Sequence, residues 1–85
     1  MEDAKIQVYP NPSAGTFYID NTQGDISVEN PRISNTLGAV VFEAKQSIPA
    51  GQQVQVRADL PSGIYYLELK TMDGKRVVRK VAVDW

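Results

Sequence analysis

An 85-residue chain with 42% hydrophobic and 22% charged residues has room for one small domain, which buries roughly two thirds of its unfolded surface, and its composition is that of a globular protein. With no Cys and no His, disulfides, thiolate metal sites, the cysteine nucleophile and the usual proton shuttle are all excluded. The net charge of −1 conceals an asymmetry: residues 70–85 hold five cations against two carboxylates, while residues 1–69 hold four against eight.

Period-two alternation bounded by Gly, Pro, Asn and Asp recurs along the chain, and no window sustains the i, i+3, i+4, i+7 spacing of a helix. The first strand is predicted over residues 5–9, with Ile6 and Val8 on one face, and Pro10-Asn11-Pro12 stops it. After a turn through Ser13-Ala14-Gly15, residues 16–20 form a strand with Phe17 and Ile19 inward, closed by the polar run 21–25. A third run carries Ile26 and Val28, is interrupted at Asn30-Pro31 and resumes over 32–35, which reads as one broken or bulged strand near a sheet edge.

Thr36-Leu37-Gly38 is a turn, and residues 39–44 continue as a strand rich in β-branched and aromatic side chains. A polar loop over 45–52 follows, then Val54, Val56 and Ala58 alternate with Gln55, Arg57 and Asp59. Leu60-Pro61-Ser62-Gly63 turns the chain into its strongest strand, residues 64–69, where Tyr65, Leu67 and Leu69 face the core. Asp73-Gly74 suits a tight hairpin in which both positions take positive φ, and the last strand runs over 75–83 with Val77, Val81 and Val83 on one face, broken by Arg79. About seven antiparallel strands at this spacing predict an all-β, immunoglobulin-like two-sheet sandwich filling residues 1–85 as a single domain.

No catalytic, cofactor or metal site is expected. The hydroxyls and carboxylates are scattered, a serine–lysine pairing such as Ser62 with Lys80 has little weight, and no run of oxygen ligands suits calcium. No apolar stretch, residues 39–42 included, exceeds four residues against the ~20 of a membrane-crossing helix, so membrane insertion is not expected. A nucleic-acid partner is not expected either, because the carboxylates outside the last segment would repel phosphate. The basic segment itself reads first as the solvated outer face of a last strand.

Three constellations together carry a resemblance. Val8-Tyr9-Pro10-Asn11-Pro12 with Gly15 and Phe17, then Ile33 with Leu37-Gly38 and Val40-Val41-Phe42, then Leu60-Pro61-Ser62-Gly63-Ile64-Tyr65-Tyr66-Leu67 with Asp73-Gly74 and Lys80-Val81 resemble the C-terminal sorting domain of Bacteroidetes proteins exported by the type IX secretion system. The motif positions are Tyr9, Pro10, Asn11, Pro12, Gly15, Gly38, Gly63, Tyr65, Gly74 and Lys80, over about residues 8–83. Each has a plain structural role as well: the Pro-Asn-Pro turn ends a strand, and Gly63 permits a close approach before a buried one.

The resemblance implies a non-catalytic secretion signal, read as a folded domain by the outer-membrane export machinery and removed by a sortase-like surface peptidase. It implies a monomer excised from a larger protein that is secreted or displayed on the cell surface by way of the periplasm. The signal peptide would lie on that protein's missing N-terminal part, since Met1-Glu2-Asp3 opens no such segment. Lys75, Arg76, Arg79 and Lys80 form the candidate recognition surface. Two positions depart from the family pattern: Asn30-Pro31 interrupts a usually smooth strand, and the chain ends Val83-Asp84-Trp85 where many members end on a basic residue. The rival expectation is a passive or carbohydrate-binding sandwich of a glycan-active enzyme, whose mark would be coplanar exposed rings among Tyr9, Tyr18, Tyr66 and Trp85.

Overall fold

The computed structural model describes residues 5–9 and 14–84, and Pro10-Asn11-Pro12 and Trp85 of the sequence reading lie outside them. Its described residues form eight strands and no helix: β1 (Gln7–Tyr9), β2 (Thr16–Asp20), β3 (Val28–Ser34), β4 (Val40–Glu43), β5 (Ser47–Ile48), β6 (Gln53–Arg57), β7 (Gly63–Thr71) and β8 (Arg76–Val83). β1, β2 and β6 make one sheet in the order β1-β2-β6. The second has the order β4-β3-β7-β8, with β5 also on β3, and every pairing is antiparallel.

The inward positions of the two sheets meet in one core. Phe17, Ile19 and Val56 come from the first sheet, and Val28, Ile33, Leu67, Leu69, Val77 and Val81 from the second. Alternation along each strand produces this directly, since side chains two apart share a face. The all-β, two-sheet expectation holds, and so do the phases of the strands at 16–20 and 64–69.

Three details differ. The polar loop over 45–52 contains β5, because its one large apolar side chain, Ile48, is buried and the backbone around it pairs with Val28 and Glu29; the strands therefore number eight rather than about seven. The broken strand is interior rather than near an edge, with β3 lying between β4 and β7. At Asn30-Pro31 its register on β7 jumps from Glu29↔Lys70 to Arg32↔Glu68, which makes a bulge. Asn30 takes φ 58°, a value asparagine tolerates. Pro31 has no N–H to give to a ladder, and the bulge is where none is asked of it. The Pro31 carbonyl still accepts the Ala44 N–H, and the Asn30 N–H reaches the Gln46 carbonyl, so β3 exchanges β5 for β4 at that point.

The third detail is the closing hairpin. The Gly74 N–H donates to the Thr71 carbonyl and the Thr71 N–H to the Lys75 carbonyl, and only Gly74 takes positive φ, at 92°. This is a three-residue loop ending in a left-handed glycine, not the two-residue turn with both positions left-handed. The β3–β4 hairpin repeats it: the Gly38 N–H donates to the Asn35 carbonyl, the Asn35 N–H to the Ala39 carbonyl, and Gly38 has φ 89°.

Candidate recognition surface

β8 decides how the four predicted cations are presented. Val77, Val81 and Val83 are buried, so Arg76, Val78, Lys80 and Ala82 point outward by alternation, and Lys75 sits exposed in the hairpin loop. Arg79 shares the valine face and is half-buried. Its Nε donates to the Ile6 carbonyl at 3.1 Å, which ties β8 to the segment entering β1. The cluster read from sequence is thus split between two faces: Arg76 and Lys80 belong to the outer surface, and Arg79 is a structural clamp.

The outer face of the five-stranded sheet brings further charges to Arg76. Arg32 on β3 lies opposite Glu68 on β7 and Glu43 on β4. Glu68 accepts from both flanks: its Oε1 lies 3.4 Å from Arg32 Nη2 and its Oε2 lies 3.2 Å from Arg76 Nε. Exposed pairs of this kind contribute at most about 1 kcal/mol each, so the row orients the two guanidinium groups more than it stabilises the fold. These residues, with Asn30, Lys70 and Lys75, line a shallow depression of about 300 Å³ beside the β3 bulge. No candidate among the β3 or β7 charges was singled out from sequence; cross-strand register alone assembles them.

The motif residues have identifiable local work. Gly15 takes φ 90° and its carbonyl accepts the Ala58 N–H at 2.8 Å. The Tyr65 ring is buried and its hydroxyl donates to the Pro61 carbonyl at 2.6 Å, the tyrosine corner of immunoglobulin-like sandwiches. Gly63 is not at a tight approach, since a Cβ there would lie at an ordinary 3.7 Å from the Tyr65 ring. Tyr9 donates through its hydroxyl to Gln53 Oε1 and stacks on Tyr18, with ring centroids 5.6 Å apart.

The Thr71 hydroxyl accepts the Lys75 N–H at 2.8 Å and donates to the Asp73 carboxylate, which holds Asp73 below the ordinary aspartate value of 3.8. Asp20 is lowered in the same way by the side chain and backbone of Thr22.

The described residues place the Ser62–Lys80 pair apart and divide the candidate tyrosines between the two sheets. Lys80 pairs with Tyr66, and Ser62, the residue before β7, lies four positions back from Tyr66, about 13 Å at ~3.3 Å per residue. Among the described residues no group of three or more Asp or Glu could hold a metal ion, and no helix is long and apolar enough to cross a membrane. Tyr9 and Tyr18, cross-strand partners on β1 and β2, stack with their rings 28° apart, and Tyr66 lies on the other sheet.

Sequence reasoning passed over Asn21. It is fully buried, its Nδ2 donates to the carbonyls of Ile26 at 3.0 Å and Ile48 at 3.1 Å, and its own carbonyl accepts the N–H groups of Gly24 and Gly51. Its Oδ1 has no hydrogen-bond partner and lies where a Cβ on Gly24 would be only 1.9 Å away. The available signal was an Asn directly after a strand with a Gly three residues on.

The architecture defines the class, an immunoglobulin-like β-sandwich. A DUF3244 family protein of that fold from Bacteroides vulgatus superposes with a TM-score of 0.70 over 95% of this chain and 85% of its own, at 18% identity. The chain belongs to the family described as the secretion system C-terminal sorting domain, whose model matches residues 7–84. This is the sorting domain of type IX secretion, carried by secreted or cell-surface proteins of the Bacteroidetes. No curated protein matches the chain.

Proposed function

We propose that this domain is a non-catalytic, folded export signal that takes a larger parent protein from the periplasm across the outer membrane. Residues 1–85 act as one excised unit and as a monomer, the parent carries its own signal peptide, and a sortase-like surface peptidase removes the domain after passage. The observation that carries this reading is the family match over residues 7–84, which takes in all eight strands of the described residues, β1 through β8. The absence of His and Cys and the separation of Ser62 from Lys80 support a role without chemistry.

In this reading the β7–β8 hairpin faces the exporter. Lys75, Arg76 and Lys80 provide long-range attraction that speeds and orients the encounter, and Arg79 keeps the strand seated. Of the motif positions, Gly15, Gly38, Gly74 and Tyr65 hold turns and the corner, and Tyr9 anchors β1 on β2.

The test is a reporter given an ordinary signal peptide and this domain at its C-terminus, expressed in a Bacteroidetes host with an active type IX system. The fused reporter is expected in the medium or on the surface, and the reporter without the domain in the periplasm. Equal release with and without residues 1–85 refutes the proposal.

A further inference from the structure

Asp73-Gly74 is the one place in the sequence where an aspartate precedes a glycine, and no asparagine precedes one; the other aspartates are followed by Ala4, Asn21, Ile26, Leu60 and Trp85. An aspartyl Cγ can be attacked by the backbone nitrogen of the next residue, and a glycine there has no side chain to hinder the approach. The N–Cγ bond forms, the carboxyl's hydroxyl leaves with the nitrogen's proton as one water, and a five-membered imide results. Water then opens the imide at either carbonyl. One opening restores aspartate, and the other gives isoaspartate, whose main chain runs through Cβ and is one carbon longer.

In the folded chain Thr71 holds both reactants. The Gly74 N–H donates to the Thr71 carbonyl at 3.0 Å, and the Thr71 hydroxyl donates to the Asp73 carboxylate. Thr71 is itself fixed: it is buried, its N–H donates to the Lys75 carbonyl at 2.8 Å, and its hydroxyl accepts the Lys75 N–H at 2.8 Å. Asp73 and Gly74 are exposed, so the water that opens the imide has free access.

We propose that Asp73-Gly74 is a latent isomerisation site of this domain and that Thr71 suppresses it by restraining nucleophile and electrophile together. Ring closure swings the Gly74 nitrogen about the Asp73 Cα–C bond toward Cγ and strips its proton, so the bond to the Thr71 carbonyl must break first. Closure also needs a neutral carboxyl, whereas the Thr71 hydroxyl holds Asp73 below the ordinary 3.8 and ionised at neutral pH. The β3–β4 hairpin repeats the backbone pattern without the hazard, since Leu37 precedes Gly38 and offers no electrophile. Isomerisation at Asp73 would insert a carbon into the three-residue loop and pull apart the Thr71–Lys75 bonds that close the ladder beside Lys70↔Arg76.

Ageing the purified domain at physiological temperature tests this. Isoaspartate is counted by methyl transfer from S-adenosylmethionine with protein-isoaspartate methyltransferase, and placed by electron-transfer fragmentation of peptides. The native chain is expected to isomerise at Asp73 at least about tenfold more slowly than the same chain in guanidinium chloride. Folded Thr71→Val is expected to exceed native wild type by about tenfold, the factor that one lost hydrogen bond to a charged group supplies. Thr71→Ser keeps the hydroxyl and should age as wild type, and amide exchange at Gly74 checks that the loop of each variant is closed. If Thr71→Val melts early, Asp73→Asn carries the test: its deamidation passes through the same imide, releases ammonia, and should be about tenfold slower folded than unfolded. Equal ageing of native and unfolded chains, equal ageing of folded Thr71→Val and wild type, or isoaspartate mapping to another aspartate overturns the proposal.

Discussion

Asn21, the residue after β2, ties the first sheet to the second, because its amide bonds the carbonyls of Ile26, in the segment leading to β3, and of Ile48 on β5. Asn21→Leu takes this donor from the buried Ile48 carbonyl and the part-buried Ile26 carbonyl, and a buried orphan costs about 1–3 kcal/mol. A urea titration should show a lower midpoint with unchanged slope. Gly24→Ala attacks the same spot from the other side by pushing a methyl group into Asn21 Oδ1. At Asp73 the prediction concerns pH. The hydrogen bond from Thr71 lowers the folded-state pKa, so its stabilising contribution is present above the ordinary aspartate value of 3.8 and is lost as pH falls through the lower folded value. Thr71→Val removes the donor and should raise the Asp73 midpoint toward 3.8, measurable from the carboxyl carbon shift in an NMR titration.

Strand phase separates residues that stand next to each other in sequence. Arg79 and Lys80 differ by one position, yet one clamps the Ile6 carbonyl and the other faces solvent. Arg79→Ala should therefore destabilise by about 1 kcal/mol or more, through the part-buried bond to the Ile6 carbonyl that it leaves unmade. Lys80→Glu should stay within about 0.5 kcal/mol of wild type. Thermal melts of the two single variants distinguish them, and an export assay is interpretable only with the second. On β7, Leu67 has no exposed surface and sits opposite Ile33 on one side and Arg79 on the other. Leu67→Ala should cost roughly 2–5 kcal/mol, because a cavity is added to the lost burial. In a domain of this size that is a large share of the total stability, and the urea midpoint reads it directly.

At the level of the whole molecule the sheets join segments far apart in the chain. Phe17 pairs with Val56, Val28 with Thr71, and Arg79 reaches back to Ile6. Loop closure must precede most of these contacts, so refolding should take milliseconds to seconds, on the order typical of all-β sandwiches rather than of helical bundles. Stopped-flow fluorescence after denaturant dilution measures it, and a microsecond phase carrying the full amplitude would contradict the topology. Slow closure also bears on the proposed role, since a signal read as a folded unit must complete its sandwich in the periplasm before the exporter can engage it.

The strands, their inward faces and the family were legible in the sequence because period-two alternation and turn glycines are local signals. Phe17, Ile19, Leu67 and Leu69 declare their phase within a few residues, and Gly38 and Gly74 mark the hairpin tips. What the tertiary structure alone decided is which distant segments become neighbours. It buried Ile48 from a polar loop by laying β5 on β3, and it placed the Asn30-Pro31 bulge inside a sheet where β3 changes partner. It also gave Arg79, which alternation already puts on the valine face, the Ile6 carbonyl as its partner, and set Arg32 and Arg76 on the two oxygens of Glu68. Cross-strand register governs each of these outcomes, and register is a long-range property: it depends on how far each strand slides before its buried face and its turns are satisfied together, which no single window of residues contains.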